Sequence, residues 1–357
     1  MVIACARNRT IRPGLARSPQ AEIDLFVPHN CPSFQQHSRS RARNKSGLGA
    51  LCLSRSTATG RETALKIRAG YDIAFECFQD VPMVLMLTVH PSRHADILTD
   101  HTLQVSPKVL AKNYTDVFGN ICTRLVAPTG LIEIRNEFTV ADSGLPDAAA
   151  PNAAQDPVHG LPDEALMYLL GSRYCDTQKL TDVAWSTFGQ IDGGWQRVQA
   201  ICDYVHDRIQ FGYHFARSDR TASEGHQERV GVCRDFAHLA VALCRCMNIP
   251  ARYCTGYLGD IGVPPDPAPM DFSAWFEAYI GGRWYTFDAR HNHARIGRVV
   301  IARGRDAADV AISTAFGPTR LARFKVLTEE VPADEAFLLQ PRVETSSDSL
   351  LVQRQFA

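Results

Sequence analysis

The spacing of apolar residues changes twice along the chain, and the changes divide it. Tyr71, Ile73, Phe75 and Cys77 alternate with Asp72, Ala74 and Glu76, the period of a half-buried strand. Met83–Val89 is a continuous apolar run and predicts a strand buried on both faces. Ile121–Val126 and the alternating Ile132–Val140 add two more, with turn signals at Pro91-Ser92, Gly119-Asn120 and Pro128-Thr129-Gly130 between them. Residues 66–142 therefore predict a small all-β domain. Residues 143–160, rich in Ala, Pro, Asp and Gly, read as a linker.

Helical spacing follows. Pro162-Asp163-Glu164 opens a helix with proline first and acids in the first turn. A second helix covers about 195–209, with Trp195, Val198, Ile201, Val205 and Ile209 on one face. A third starts near Cys233: Phe236, Leu239/Ala240, Leu243/Cys244 and Met247 recur at helical spacing, and Asn248-Ile249-Pro250 stops it. Strand patterns then return at 251–257, 271–280, 283–288, 298–302 and about 321–327. Helices followed by mostly antiparallel strands predict an α+β domain over 161–331 rather than a doubly wound one. The polar, weakly patterned residues 332–357 read as a loose tail.

Composition narrows the function classes. The apolar share of 45% in 357 residues fits a soluble protein of about two domains. Lys plus Arg equals Asp plus Glu at 38 each, yet the first 65 residues hold ten bases and three acids. The rest is mildly acidic, which gives no reason to expect nucleic acid as a partner. The longest apolar run, Pro82–Val89, is too short to span a membrane. We read residues 1–65, rich in Arg and Ser, as a disordered extension or as sequence translated upstream of the true start, in preference to a transit peptide.

The eleven cysteines are an odd number without a secretory signal, so a reducing cytoplasm is expected. Cys202/His206 and Cys244/Cys246 have metal-like spacing, but neither has a second half at zinc-finger distance. A metal protein is the weakest of the functional classes considered, and no P-loop or dinucleotide glycine pattern is present. No cofactor and no metal are expected, and the sequence assigns no oligomeric state.

Cys233 stands apart from the other thiols. It falls at or beside the first residue of its helix, where unpaired N–H groups and the helix dipole favour thiolate. Cys244 and Cys246, further along, read as structural. Downstream, Ile280-Gly281-Gly282-Arg283 predicts a two-residue hairpin turn. Counting from it pairs Ile280 with Arg283, Tyr279 with Trp284, Glu277 with Thr286, Trp275 with Asp288 and Ser273 with Arg290. Ser273, Trp275, Glu277, Trp284, Thr286 and Asp288 then share one face, and Phe272, Ala274, Phe276 and Ala278 the other. Ser273 and Asp288 become diagonal neighbours. Glu277 reads as one half of a strand salt bridge, and the two tryptophans as wall or core.

Three separated motifs, Gly231-Val-Cys-Arg-Asp-Phe236, Asn248-Ile-Pro-Ala-Arg-Tyr-Cys-Thr-Gly-Tyr257 and Ala274-Trp-Phe-Glu-Ala-Tyr-Ile-Gly-Gly-Arg-Trp-Tyr-Thr-Phe-Asp288, resemble the bacterial transglutaminase-like superfamily. The resemblance covers roughly 160–330. It implies a papain-like α+β core with a Cys-His-Asp triad, preceded by a β-rich domain. By position, Cys233 would be the nucleophile and Asp288 the residue orienting the base. The family places its catalytic histidine directly before Ala-Trp, where this chain has Ser273. A serine has no nitrogen that titrates near neutrality and cannot replace imidazole.

Three readings follow. Another histidine supplies the imidazole: His291 first, provided the strand turns or bulges after Ala289, then His293. His238 ranks behind them, about 140° around the helix from Cys233. Alternatively the site works weakly with thiolate and helix terminus alone, or the catalytic fold has become a module that binds peptides or protein tails. The first is preferred. It implies cysteine-dependent acyl transfer, or amide or peptide hydrolysis, through a Cys233 thioester on a peptide or protein substrate, resolved by water or an amine co-substrate. Asp288 has a structural alternative as a partner of Arg290 or Arg252. Gly259–Pro269 reads equally as a lid or a surface loop.

Overall fold

The computed structural model describes residues 3–5 and 65–332; the readings of the remaining N-terminal residues and of the tail beyond 332 lie outside the described residues. Strands β1 (Ile3–Cys5), β2 (Leu65–Cys77), β3 (Val81–Leu85), β4 (Gln104–Ser106), β5 (Ala111–Thr115), β6 (Ile121–Ala127) and β7 (Gly130–Asp142) come first. β2 and β7 pair antiparallel without interruption from Leu65↔Asp142 to Cys77↔Gly130. Their alternation delivers Ile67, Ile73, Phe75, Ile132, Ile134 and Val140 to one core. β3 departs from its expectation: it ends at Leu85 and alternates, with Pro82 exposed and Met83 buried. An unbroken apolar run carries no period, so it does not reveal that one face meets solvent.

Helices α1 (Asp163–Leu166), α2 (Thr181–Phe188), α3 (Trp195–Arg208), α4 (Ala222–Glu228) and α5 (Cys233–Cys246) follow, with the short parallel pair β8 (Gln210–Phe211) and β9 (Val230–Gly231). Then come β10 (Ala251–Tyr257), β11 (Ser273–Ile280), β12 (Arg283–Phe287), β13 (Val299–Gly304), β14 (Ser313–Ala315) and β15 (Thr319–Glu330). The architecture is α+β. Helix α5 lies on the sheet β12-β11-β10-β13 and is covered by helices on its other side. All of its residues are buried, and each fully buried leucine contributes about 1.5–3 kcal/mol.

The chain's end returns to its beginning. β15, the strand read near 321–327, pairs with β2 and completes the sheet β15-β2-β7-β4. β14 joins β3 in the sheet β1-β14-β3-β6-β5. The described residues belong to one compact unit, and none of their helices is long and apolar enough to cross a membrane.

Candidate active site

The local sequence explains why α5 begins at Cys233. The Asp235 carboxylate folds back to accept the Val232 N–H at 2.9 Å, satisfying a donor that the helix start leaves unpaired. Gly231 makes room, since a Cβ there would lie 2.7 Å from the Asp235 side chain. Arg220 and Arg234 donate to the same carboxylate at 2.9 and 3.3 Å. The Asp235 side chain is 1% exposed and that of Arg220 4%. Replacing Asp235 by alanine strands these charges, and is expected to cost about 3–5 kcal/mol. The measurement is the urea midpoint, with the slope unchanged. A loss below about 1 kcal/mol would show that the helix start is held by other means.

Cys233 is the first residue of α5, as expected, and 9% of its surface is exposed. It packs among Ala237, Tyr253 and Ala274, and the Ala274 backbone N–H reaches its sulfur. Ala274 follows Ser273, so the serine stands in the chain beside a strand residue whose N–H reaches the thiol. The expected resting thiolate is corrected. Burial pushes the Cys233 thiol up, and the opposing pull of Arg290 and of the Ala274 N–H does not offset it. Among the described residues, no imidazole hydrogen-bonds to the sulfur.

The hairpin forms on Gly281-Gly282, both with positive φ (57° and 78°). Ile280↔Arg283, Tyr279↔Trp284 and Glu277↔Thr286 pair as counted. The ladder ends one step later, at Phe276↔Phe287, so Trp275 with Asp288 and Ser273 with Arg290 are not ladder pairs. Asp288 itself causes the exit. Its Oδ1 accepts the N–H groups of Arg290 and His291 at 3.0 and 3.1 Å, bending the chain into a turn. This is the turn that His291 required. Its Nδ1 comes back to Asp288 Oδ2 at 2.9 Å.

Asp288 is 3% exposed at its side chain, and the same Oδ2 accepts Arg298 Nη2 at 2.9 Å. Burial alone would raise its pKa. The Arg298 charge and the His291 hydrogen bond overcome that and hold the carboxyl far below the usual range. A carboxylate can only accept, so Nδ1 of His291 donates to it, and in the neutral form of the ring the lone pair lies on Nε2. The His291 side chain is 19% exposed, and Nε2 has no hydrogen-bond partner among the described residues.

Helix α3 pins this turn. His206 Nδ1 donates to the Arg290 carbonyl at 2.9 Å. Gln199 donates to the Asn292 side chain at 3.0 Å, and Asn292 donates to Asp203 at 2.9 Å. Asn292 adopts φ 53°, a left-handed conformation that asparagine tolerates.

The other candidates are committed elsewhere. His293 Nδ1 donates to the His291 carbonyl at 2.7 Å. His238 is fully buried, accepts the Ala307 N–H at 3.1 Å and stacks on Tyr174. Burial, with Arg234 and Arg245, lowers its pKa well below the ordinary value. Arg252 and Arg303 pair with Glu277, the strand salt bridge expected of it. Cys202 lies in the core around α3. Among the described residues, no group of three or more His, Cys, Asp or Glu is arranged to hold a metal ion.

Two arginine contacts near the site were not foreseen. Arg298, ten residues beyond Asp288, supplies its cation in place of the expected Arg290 or Arg252. Arg290 instead lays its guanidinium over the Phe211 ring, 3.8 Å from the centroid. Neither has a local pattern that predicts it, since each meets its partner only after the turn forms.

The sequence profile of the transglutaminase-like superfamily core matches residues 184–289, a span holding Cys233, Ser273 and Asp288. A solved structure from Cytophaga hutchinsonii, described as a candidate cysteine protease, is 32% identical with a TM-score of 0.66, covering 76% of this chain and 92% of that one. An uncharacterised protein of Mycobacterium leprae is 38% identical over 89 residues, 24% of this chain and 31% of its own. One of Mycobacterium bovis is 33% identical over 116 residues, 29% of this chain and 37% of its own. The matches thus span roughly a third of these curated mycobacterial relatives. The chain belongs to the transglutaminase-like superfamily.

Proposed function

We propose that the chain is a cysteine-dependent enzyme acting on peptide or protein substrates by acyl transfer or by amide or peptide hydrolysis. Cys233 is its nucleophile, His291 its acid–base group and Asp288 the orienter. The observation that carries this reading is the 2.9 Å bond from His291 Nδ1 to Asp288, which leaves Nε2 unbonded, the arrangement a general base needs. In the step proposed, the thiol proton passes to Nε2 and the sulfur adds to the substrate carbonyl. The C–N bond then breaks as Nε2 returns the proton to the leaving amine. First-turn N–H groups of α5 hold the oxyanion, and water or an amine resolves the thioester. A reducing cytoplasm belongs to the same proposal, because the nucleophile must stay a free thiol.

A second reading has its own observation. No imidazole among the described residues hydrogen-bonds to the Cys233 sulfur, and burial raises the thiol, as suits a module that binds peptides without cleaving them. The two separate in one experiment: acid-quenched mass spectrometry after mixing with a pool of peptide carboxamides. The enzyme gives an acyl adduct on Cys233 and free ammonia or amine, both lost in Cys233→Ala. Peptide binding by calorimetry without adduct or product selects the module.

A further inference from the structure

Arg290 has no assigned task. Its backbone serves the turn, donating to Asp288 and accepting from His206. Its guanidinium has no hydrogen-bond partner or ion pair among the described residues, and it lies over the face of Phe211. Phe211 is not a remote anchor. It is the ladder partner of Gly231, two residues before Cys233, and its ring also meets Phe236 of α5 and Tyr213. A guanidinium held over a ring face can still use its edge donors to grip a carboxylate with two parallel bonds.

We propose that Arg290 is a specificity residue that binds a carboxylate of the acyl donor beside the Cys233 thiol. The substrate class is then a peptide whose reacting carbonyl lies next to a free carboxylate, a chain terminus or an acidic side chain. This rests on the reading of Cys233 as the residue that accepts the acyl group. Burial raises both the Cys233 thiol and the Tyr213 hydroxyl, and the nearby Arg290 charge pulls both down against it. Carboxylates of the loop before β11 oppose it: Asp271 raises the Cys233 thiol, and Asp271 with Asp266 raises the Tyr213 hydroxyl. Arg290, on the turn side of Cys233, is thus the group that offers a cation to an incoming carboxylate. A donor carboxylate would be favoured against Arg290.

The test requires no turnover. Cys233 is alkylated in the native full chain with iodoacetate, which carries a carboxylate, and with its neutral analogue iodoacetamide, and both rates are read by peptide mass spectrometry. Removing Arg290 also alters the thiol's ionisation, but that factor is common to both reagents and cancels in their ratio. The iodoacetate-to-iodoacetamide ratio at Cys233 is expected to exceed that of glutathione about fivefold, the size of a half-exposed ion pair. It should fall to the glutathione value in Arg290→Met and keep part of the excess in Arg290→Lys, with thermal melting confirming that each variant is folded.

Equal ratios in wild type and Arg290→Met would overturn the proposal. So would a wild-type ratio below that of glutathione, which would show the loop carboxylates dominating. A thiol that neither reagent reaches in the native protein would also overturn it, as a cleft closed to carboxylates. Failure of the catalytic reading is a separate result, the missing acyl adduct, and leaves the ratio intact.

Discussion

His291→Gln is expected to lower kcat/KM for amide substrates by about 10²–10⁴, the usual contribution of a positioned acid–base group. The thioester should form correspondingly slowly on Cys233. Two features make the loss large. Burial raises the thiol, so little of it is ionised at neutral pH without help. The departing amine also needs a proton, which the helix terminus cannot donate. Glutamine keeps a donor for Asp288 but has no lone pair of comparable basicity to take the thiol proton. The change is cleaner than one at Asp288, whose carboxylate also holds the turn and neutralises Arg298. His293→Gln is the matched control, because that ring is tied to the His291 carbonyl; it should change the rate less than tenfold. A rate for His291→Gln within twofold of wild type would remove His291 from the mechanism.

The place of Cys233 at the helix start was legible because its signals are local. Helical spacing from Phe236, the stop at Pro250 and the Gly231-Val-Cys motif lie within twenty residues, and α5 begins at Cys233. The Gly-Gly turn fixed three pairs of the hairpin for the same reason. Strict alternation failed at Asp288, where a side chain takes backbone N–H groups and ends the strand. Periodicity counts apolar positions and is blind to such competition.

Short elements escaped for a related reason. α4 spans only Ala222–Glu228, too few residues to show a period, although Thr221 and Glu224 cap it reciprocally and spell a readable signal. α5 was read as an apolar stripe and is buried all round. Its arginines gave no hint, because they are satisfied by carbonyls outside the helix: Arg245 donates to those of Leu170, Ala251 and Arg305. The thiol's ionisation was misjudged because dipole and motif are visible in sequence while burial is not. Pairing of β15 with β2 joins residues some 250 positions apart, a contact no local pattern reports.

Ser273→His is expected to raise kcat/KM about 10²-fold or more and to make the enzyme indifferent to His291→Gln. Position 273 pairs with Gly256 at the start of β11, directly before the residue whose N–H reaches the Cys233 sulfur. An imidazole introduced there starts next to the thiol instead of across the turn. The position is 7% exposed, so the larger side chain costs about 1–3 kcal/mol of stability if its surroundings do not yield. That cost appears in the melting curve and not in the rate of the folded fraction. The double variant Ser273→His/His291→Gln decides the mechanism, because the two imidazoles would compete for one orienting carboxylate.

If each imidazole can serve alone, the loss caused by His291→Gln shrinks from about 10²–10⁴ in the parent to nearly nothing in Ser273→His. That interaction energy is read from the cycle of four rates. If Ser273→His folds, binds peptide and still forms no thioester, an imidazole at the family's own position has not rescued the cleft. The peptide-binding reading would then stand in place of the enzyme.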